Sequence, residues 1–357
     1  MKINRKQLLE TLNQLKPGLA NKEIIEQSTS FIFAEDRVLT YNDEVAVQCP
    51  VKGIGFVGAV KAKEFTALLE KLKDEEIDIN VADNGAELVV TTKKASAGIR
   101  LEQDTTSIHD ILKGVGTPEE WWDLPSTFLP AALFCSFSAG SDMTKPLLTC
   151  LCFSGRDAWS SDNFRATHYD MGAAAELQFQ EPLLIPATTV KELKSYSPIE
   201  FSTTNGWAHF RTDGGVVFSC RVMEGTYPEE TLRRIVFPGK GVVEQKVKLP
   251  EGMVDALGRA EIFSSNSTIR VANDNRVSIS LSEGMLTLRG EGPAGWFEET
   301  SRVRYQGGDV EFEVSPDVLL EILTHTHEAS IGKDLLRFQG ENFSHAVSVL
   351  AAKAKKK

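Results

Sequence analysis

Phe56-Val57-Gly58-Ala59-Val60 reads as an apolar strand, and Phe65, Leu68, Leu69 and Leu72 behind it have the spacing of a short helix. The alternating run Ile77-Asp78-Ile79-Asn80-Val81 follows, then the turn Asn84-Gly85 and two further strands, Leu88-Val89-Val90 and Ala97-Gly98-Ile99. This order recurs from Leu183 and again from Val310, 127 residues apart each time. The second copy has a helix with Val190 and Leu193, then Ile199-Glu200-Phe201, Asn205-Gly206, Ala208-His209-Phe210 and Val216-Val217-Phe218. The third has a helix with Val318, Leu319, Ile322 and Leu323, then Ala329-Ser330-Ile331, Gly332-Lys333, Leu335 to Phe338 and Ala346 to Val349.

Solenoid units of roughly 20 to 50 residues cannot bury a face alone. A copy of this length is instead near the roughly 100 to 150 residues at which a separate core closes. A second shared pattern precedes each copy, a helix followed by a strand hairpin. Leu8, Leu9, Leu12 and Leu15 mark one side of the first such helix, which Pro17-Gly18 stops, before Phe31-Ile32-Phe33 and Val38-Leu39-Thr40. Leu129 to Phe137 makes the second helix, followed by Leu147 to Phe153 and Ala158-Trp159-Ser160. Met253, Val254, Leu257 and Ala260 make the third, followed by strands at Ile269 to Val271, Val277 to Leu281 and Met285 to Leu288, with a turn at Asn273-Asp274-Asn275.

Three similar domains are therefore expected, 1–118, 126–236 and 243–351, each α+β with two helices and antiparallel sheets, since hairpin turns are too short for parallel crossovers. Gly116 to Pro125, with Trp121-Trp122 read as pinned to a domain wall, and Pro238-Gly239-Lys240-Gly241 are the linkers.

Hydrophobic residues at 41% and charged residues at 25% are ordinary for a globular protein, and no apolar run of about 18 residues offers a membrane span. The N-terminus leads into an amphipathic helix and not an apolar signal core, which predicts a cytoplasmic protein. The formal net charge of -11 argues against a surface that grips nucleic acid all round, but leaves room for a local basic lining. Residues Ala351 to Lys357 form a small basic tail, read as a solvated end.

Catalytic patterns are missing. No phosphate-binding loop, H-E-x-x-H or G-x-S-x-G occurs. Cys49, Cys135, Cys150, Cys152 and Cys220 form no C-x-x-C pair and read as reduced core thiols; His325 and His327 point to different helix faces. No cofactor, metal or catalytic residue is predicted. On the helices, Lys6, Lys63, Lys191 and Arg259 face away from the apolar side. Amphipathic helices ordinarily place lysine there, but its recurrence at equivalent positions marks a surface.

Nearly the whole chain resembles a bacterial-type DNA sliding clamp, the β subunit of the replicative DNA polymerase III holoenzyme, in a phage or divergent version. Met1-Lys2-Ile3 with Leu8-Leu9 resembles the family's opening; Gly58 to Lys63 with Leu68-Leu69 resembles its second helix; Trp121 follows acidic residues as in its first linker. Arg221-Val222-Met223-Glu224-Gly225-Thr226-Tyr227-Pro228 resembles the signature before its second linker and is the most specific match.

The resemblance implies the DNA clamp fold, closed head to tail as a homodimeric ring with helices lining the hole. It implies a processivity factor that encircles duplex DNA without reading sequence and tethers the polymerase. Weak, salt-screened phosphate contacts suit such sliding, so a mildly basic lumen is expected. It also implies that polymerase and clamp loader insert short peptides into a pocket. The family's Thr-Asp-Gly-His-Arg-Leu stands here as Ser161-Asp162-Asn163-Phe164-Arg165-Ala166, where Asn163 tolerates the backbone geometry of Gly and Ala166 enlarges the pocket. Pro238, Ser315 and Val318 stand at further pocket positions, and Val349-Leu350 replaces the usual C-terminal motif. Lys22 and Lys145 occupy the loops that touch the duplex in the family. Two other readings stay open. One is a clamp-like protein that binds polymerase or loader peptides without encircling DNA; the other is an enzyme with an unrecognised site.

Overall fold

Asn4 starts the first helix because its side chain accepts hydrogen bonds from the amides of Lys6 and Gln7, at 3.0 and 3.1 Å. These are two of the N–H groups a helix start leaves without partners. The computed structural model describes residues 2–51, 53–173, 181–264 and 275–351. The strand expected at Ile269 to Val271, most of its turn and the tail beyond Ala351 lie outside the described residues.

The first repeat runs β1 (Lys2–Asn4), α1 (Arg5–Gln14), β2 (Ser30–Phe33), β3 (Arg37–Tyr41), β4 (Val45–Pro50), β5 (Gly58–Lys61), α2 (Ala62–Lys71), β6 (Glu76–Val81), β7 (Glu87–Thr91) and β8 (Ser96–Glu102). After α3 (Thr106–Val115) and β9 (Trp122–Asp123), the second runs α4 (Phe128–Ser136), β10 (Cys150–Ser154), β11 (Asp157–Ser161), β12 (Arg165–Asp170), β13 (Leu183–Pro186), α5 (Ala187–Leu193), β14 (Glu200–Thr204), β15 (Trp207–Arg211) and β16 (Val217–Arg221). After α6 (Glu229–Val236) and β17 (Gln245–Lys248), the third runs α7 (Met253–Ser264), β18 (Val277–Ser282), β19 (Met285–Gly292), β20 (Gly295–Arg302), β21 (Val310–Val314), α8 (Pro316–Leu323), β22 (Glu328–Ile331), β23 (Leu335–Gln339), β24 (Phe343–Ser348) and the short β25 (Leu350–Ala351). Each repeat is a helix, four strands, a helix and three strands. Helices α3 and α6 and strands β4, β9, β12, β17, β20 and β25 add to what the sequence reading named, and Leu147 to Thr149 is a 3-10 turn before β10 rather than strand.

The chain divides into two compact units, Met1–Leu129 with Leu183–Glu224, and Pro130–Pro182 with Gly225–Lys357. In the first, twelve strands make one sheet in the order β1-β6-β7-β8-β5-β2-β3-β4-β16-β15-β14-β9. Strand β4 of the first repeat pairs antiparallel with β16 of the second, from Val45 opposite Cys220 to Gln48 opposite Val217. Leu8, Leu12 and Leu15 are buried while Lys6, Glu10, Asn13 and Gln14 are exposed, as the helical spacing predicts. Helix α3 buries Ile108 and Val115 beside Tyr41 and Trp207. Its last carbonyl, that of Val115, accepts from Thr204 Oγ1 at 2.7 Å. The linker tryptophans are held in three ways. Strand β9 pairs with β14, the Trp122 ring lies 5.5 Å from Phe201, and the Arg211 guanidinium sits 4.2 Å above Trp121.

In the second unit β10, β11, β12, β24, β23, β22 and β17 pair in that order. The β12–β24 pair joins the second repeat to the third, from Arg165 opposite Val347 to Tyr169 opposite Phe343. A five-stranded sheet, β20-β19-β18-β21-β25, carries the rest. Helix α7 packs on β19 through Leu257 and Ala260 at Gly290, where an added Cβ would fall 2.1 Å from the Ala260 carbonyl oxygen. Glycine permits that approach. All five cysteines are buried and unpaired, and burial pushes the Cys49 and Cys220 thiols up to about 12.

Candidate partner cleft and nucleic-acid interface

Ser161 to Ala166 closes the β11–β12 hairpin, and Asp162 organises it. One oxygen of Asp162 accepts from the Phe164 and Arg165 amides at 2.9 and 3.0 Å, and the other from Arg165 Nε at 3.0 Å. Ser161 Oγ donates to the Arg165 carbonyl at 2.8 Å. Asn163 takes φ +74, the left-handed conformation its residue type tolerates. The first repeat builds the same turn 120 residues earlier. There Asn42 accepts from the Glu44 and Val45 amides at 3.1 and 2.8 Å, and Asp43 has φ +79. Asp162 and Asn163 therefore carry a structural duty that both hairpins share.

Arg165 does more. Its Nη1 donates to Glu321 of α8 at 2.8 Å and its guanidinium lies 5.4 Å from the Phe137 ring centre, so this nearly buried cation ties the hairpin to the third repeat. Ala166 is buried opposite Ala346, and the Phe164 carbonyl accepts from the Ser348 amide at 2.7 Å. Phe164 on this hairpin and Leu350 on β25 stay exposed, at 38% and 48%. Val318 and Val349 belong to the core, and Ser315 is buried before α8 with its hydroxyl unpartnered. Pro238 is exposed and lines a separate cleft of about 240 Å³ with Phe237, Val242 and Phe338. Arg337, which also donates to the Ile235 carbonyl at 2.8 Å, forms an ion pair with Glu244 on its wall, and Lys246 lies beside them. Of the pocket residues expected from the sequence, Ser161 to Ala166 share one hairpin, while Leu350 lies on β25 of the five-stranded sheet. Pro238 lies in the cleft, and Ser315, Val318 and Val349 are buried.

Lys22 and Lys145 are both exposed on the loops that follow α1 and α4. Of the acids next to them, Glu23 is engaged elsewhere, while the Asp142 carboxyl, held low first by its bonds to Thr144, is also lowered by the charge of Lys145. Glu23 pairs with Lys61, which holds its carboxyl below the usual range, and also accepts from the Gln27 amide at 2.9 Å. Asp142 accepts from the amide and hydroxyl of Thr144 at 2.9 and 2.7 Å. Among the described residues Lys22, Lys145, Lys63 and Lys191 have no ion-pair partner, whereas Lys6 lies 3.7 Å from Glu75 and Arg259 2.6 Å from Glu299. Lys63 and Lys16 border an open groove of about 730 Å³ between α2 and the loop after α1. Among the described residues no group of three or more His, Cys, Asp or Glu could hold a metal ion, and no helix is long and apolar enough to cross a membrane.

No family model and no curated protein sequence matches the chain. Solved structures do. The DNA polymerase III subunit beta of Pseudomonas aeruginosa is 17% identical at a TM-score of 0.80, covering 98% of this chain and 99% of its own. A DnaN sliding clamp of Bartonella birtlesii bound to griselimycin is 17% identical at 0.80, and the DNA polymerase sliding clamp of Bacillus subtilis 16% identical at 0.78, each covering 99% of both chains. This chain has the sliding-clamp fold.

Within the clamp fold the signature before the second linker has a physical role. Arg221 donates to the Asp43 carbonyl at 2.7 Å and its carboxylate at 2.8 Å, with its guanidinium 5.0 Å from the Trp207 ring centre, which fastens β16 to the β3–β4 turn. Tyr227 is buried with its hydroxyl 3.5 Å from the Cys150 carbonyl. The two helices of each repeat are not basic overall. Arg5, Lys6, Lys63, Lys71, Lys191 and Arg259 face eight acids on the same elements, Glu10, Glu64, Glu70, Glu192, Asp255, Glu261, Asp317 and Glu321, while α4 has no charged residue. Arg5 is also tied internally to the Asp74 and Leu69 carbonyls. Sequence reasoning missed Glu321, Phe137 and the Glu244–Arg337 pair.

Proposed function

We propose that the protein is a DNA sliding clamp. Two copies, each of three domains at 1–118, 126–236 and 243–351, close head to tail into a ring around duplex DNA and tether a replicative polymerase. The role is topological and non-catalytic, carried out in the cytoplasm. Full-length likeness to sliding clamps carries this reading, at TM-scores of 0.78 to 0.80 over 98% or more of both chains.

In this reading Lys22 and Lys145, with Lys63 and Lys191, make the phosphate contacts. Lys6 and Arg259 contribute less, because a carboxylate already neutralises each of them. Few unpaired cations suit a ring that must move, because each phosphate contact adds affinity that sliding has to break while reading no sequence. Polymerase and clamp-loader peptides dock on the exposed side chains of Phe164 and Leu350 and along the Pro238 cleft, with Ser315, Val318 and Val349 supporting them from inside.

A second reading rests on the acidic balance of the helices: a clamp-like protein that binds polymerase or loader peptides without encircling DNA. Light scattering separates the two. A mass twice that of the 39.3 kDa chain, with ring-shaped particles open wide enough for a double helix, supports the clamp. One chain mass at micromolar concentration overturns it.

A further inference from the structure

The chain leaves α1 through a 3-10 turn at Lys16–Gly18 and enters β2 at Ser30. The Ala20 amide donates to the Ser28 carbonyl at 2.8 Å and closes the loop at its neck, which Asn42 Nδ2 also holds through the Pro17 carbonyl at 2.9 Å. Between these ties Asn21, Lys22, Glu23, Ile24 and Glu26 are exposed. A span of this kind keeps one shape only if a side chain fastens it.

Glu23 is that side chain. One oxygen of its carboxylate accepts from the Gln27 amide at 2.9 Å. The other accepts from Thr29 Oγ1 at 3.0 Å and pairs with Lys61, whose ammonium also donates to Thr29 Oγ1 at 3.2 Å. Lys61 ends β5 and stands at the start of α2, so the carboxylate joins the loop to the base of the second helix. Its donors are anchored in turn: Gln27 Nε2 donates to the Asp104 carbonyl at 2.7 Å, and the Thr29 carbonyl accepts from the Ala62 amide at 3.1 Å. Gln27 is buried at φ +65, a backbone state that persists where its surroundings enforce it.

With Glu23 engaged at the neck, its neighbours are left to solvent. Ile24 is 89% exposed, and Lys22 has no ion-pair partner among the described residues. The loop of Lys145 is shaped by the same kind of bond. Asp142 accepts from the amide and hydroxyl of Thr144 at 2.9 and 2.7 Å, and its carbonyl accepts from the Lys145 amide at 3.0 Å.

We infer that Glu23 is a positioning residue for DNA contact: its carboxylate braces the loop so that Lys22 is presented to a phosphate, while Glu23 itself touches no part of the duplex. This rests on the DNA reading above. A lysine on a loose loop loses to ordering part of what the phosphate contact gains. Charge alone works against an acid at this place, because a carboxylate beside a phosphate contact repels the duplex. Geometry gives the acid its reason to be there.

One substitution separates bracing from charge. Glu23→Ala removes a negative charge beside the contact, so charge alone predicts tighter binding of a short blunt DNA duplex followed by fluorescence anisotropy. The brace predicts the reverse, a fall in affinity of about threefold and a slope of log affinity against log salt lower by up to about 0.9, as in Lys22→Ala. Because Glu23 acts through Lys22, Glu23→Ala with Lys22→Ala should bind no more weakly than Lys22→Ala alone. Without DNA, amide exchange over residues 21 to 28, read by mass spectrometry, should quicken about tenfold in Glu23→Ala while α1 keeps its native rates. Native or tighter binding by Glu23→Ala, a double variant weaker than Lys22→Ala, or unchanged exchange overturns the brace and leaves the contact standing. Native binding by Lys22→Ala overturns both.

Discussion

Lowering the pH from 7.5 to 5.0 should destabilise the second unit by about 2 kcal/mol through His345 alone. This imidazole is fully buried, with Nδ1 bonded to Thr167 Oγ1 at 2.8 Å and Nε2 unpartnered. The Phe137 and Phe338 rings lie 5.2 and 6.1 Å away. Burial, assisted by the charges of Arg165 and His325, brings its pKa down from 6.5 to about 3. A histidine depressed in the fold is neutral in both states above pH 6.5, so its environment carries no penalty there. As pH falls below 6.5 the unfolded chain takes up a proton that the folded chain refuses. Stability then declines at about 1.4 kcal/mol per pH unit, levelling off near pH 3. Over the 1.5 units from 6.5 to 5.0 the loss is about 2 kcal/mol, against a total of roughly 5 to 15 for a domain. Urea melts at pH 7.5 and 5.0, for the native protein and His345→Gln, isolate the effect. The variant has its own cost at both pH values, but its pH-dependent drop should be smaller by about 2 kcal/mol. An equal drop in both proteins would refute the assignment of the neutral, dry state to His345.

Two further outcomes follow from the geometry. Replacing Lys22 and Lys145 together by alanine should leave the fold unchanged and weaken DNA retention, lowering the slope of log affinity against log salt by up to about 1.8 per chain; an unchanged slope on primed circular DNA would remove these lysines from the interface. Gly290→Ala should push α7 off β19 and cost about 1 to 3 kcal/mol in denaturant unfolding, since the added methyl meets the Ala260 carbonyl and not a flexible side chain; a neutral result would mean that α7 does not sit so close.

Much of this fold was legible because its signals are local. Leucines at helical spacing gave α1, and a polar residue that accepts positive φ marked Asn163 as a turn position before its geometry was known. Helix α3 carries the same kind of signal, with Ile108, Ile111, Leu112 and Val115 on one side, but it stands outside the repeated order of elements and so goes unread. Strand β20 hides behind Gly292-Pro293-Ala294-Gly295, which reads as a loop end until the register with β19 is known. The partner-facing residues were legible only in part for a different reason. Arg165 finds Glu321 across 156 positions of sequence, and no pattern of spacing announces a contact between elements so remote. Strand parity likewise decides which of Val349 and Leu350 reaches solvent, and that parity is set by pairing rather than by composition.

The Asp162 turn is self-sufficient: every bond that shapes it comes from residues 161 to 165, and the Phe164 side chain supplies none of them. The first repeat has glutamate at the matching place without altering the bend. A lineage can therefore exchange the residue at 164 while the hairpin beneath keeps its form, and under the docking role proposed above each exchange would retune which short motifs are welcomed.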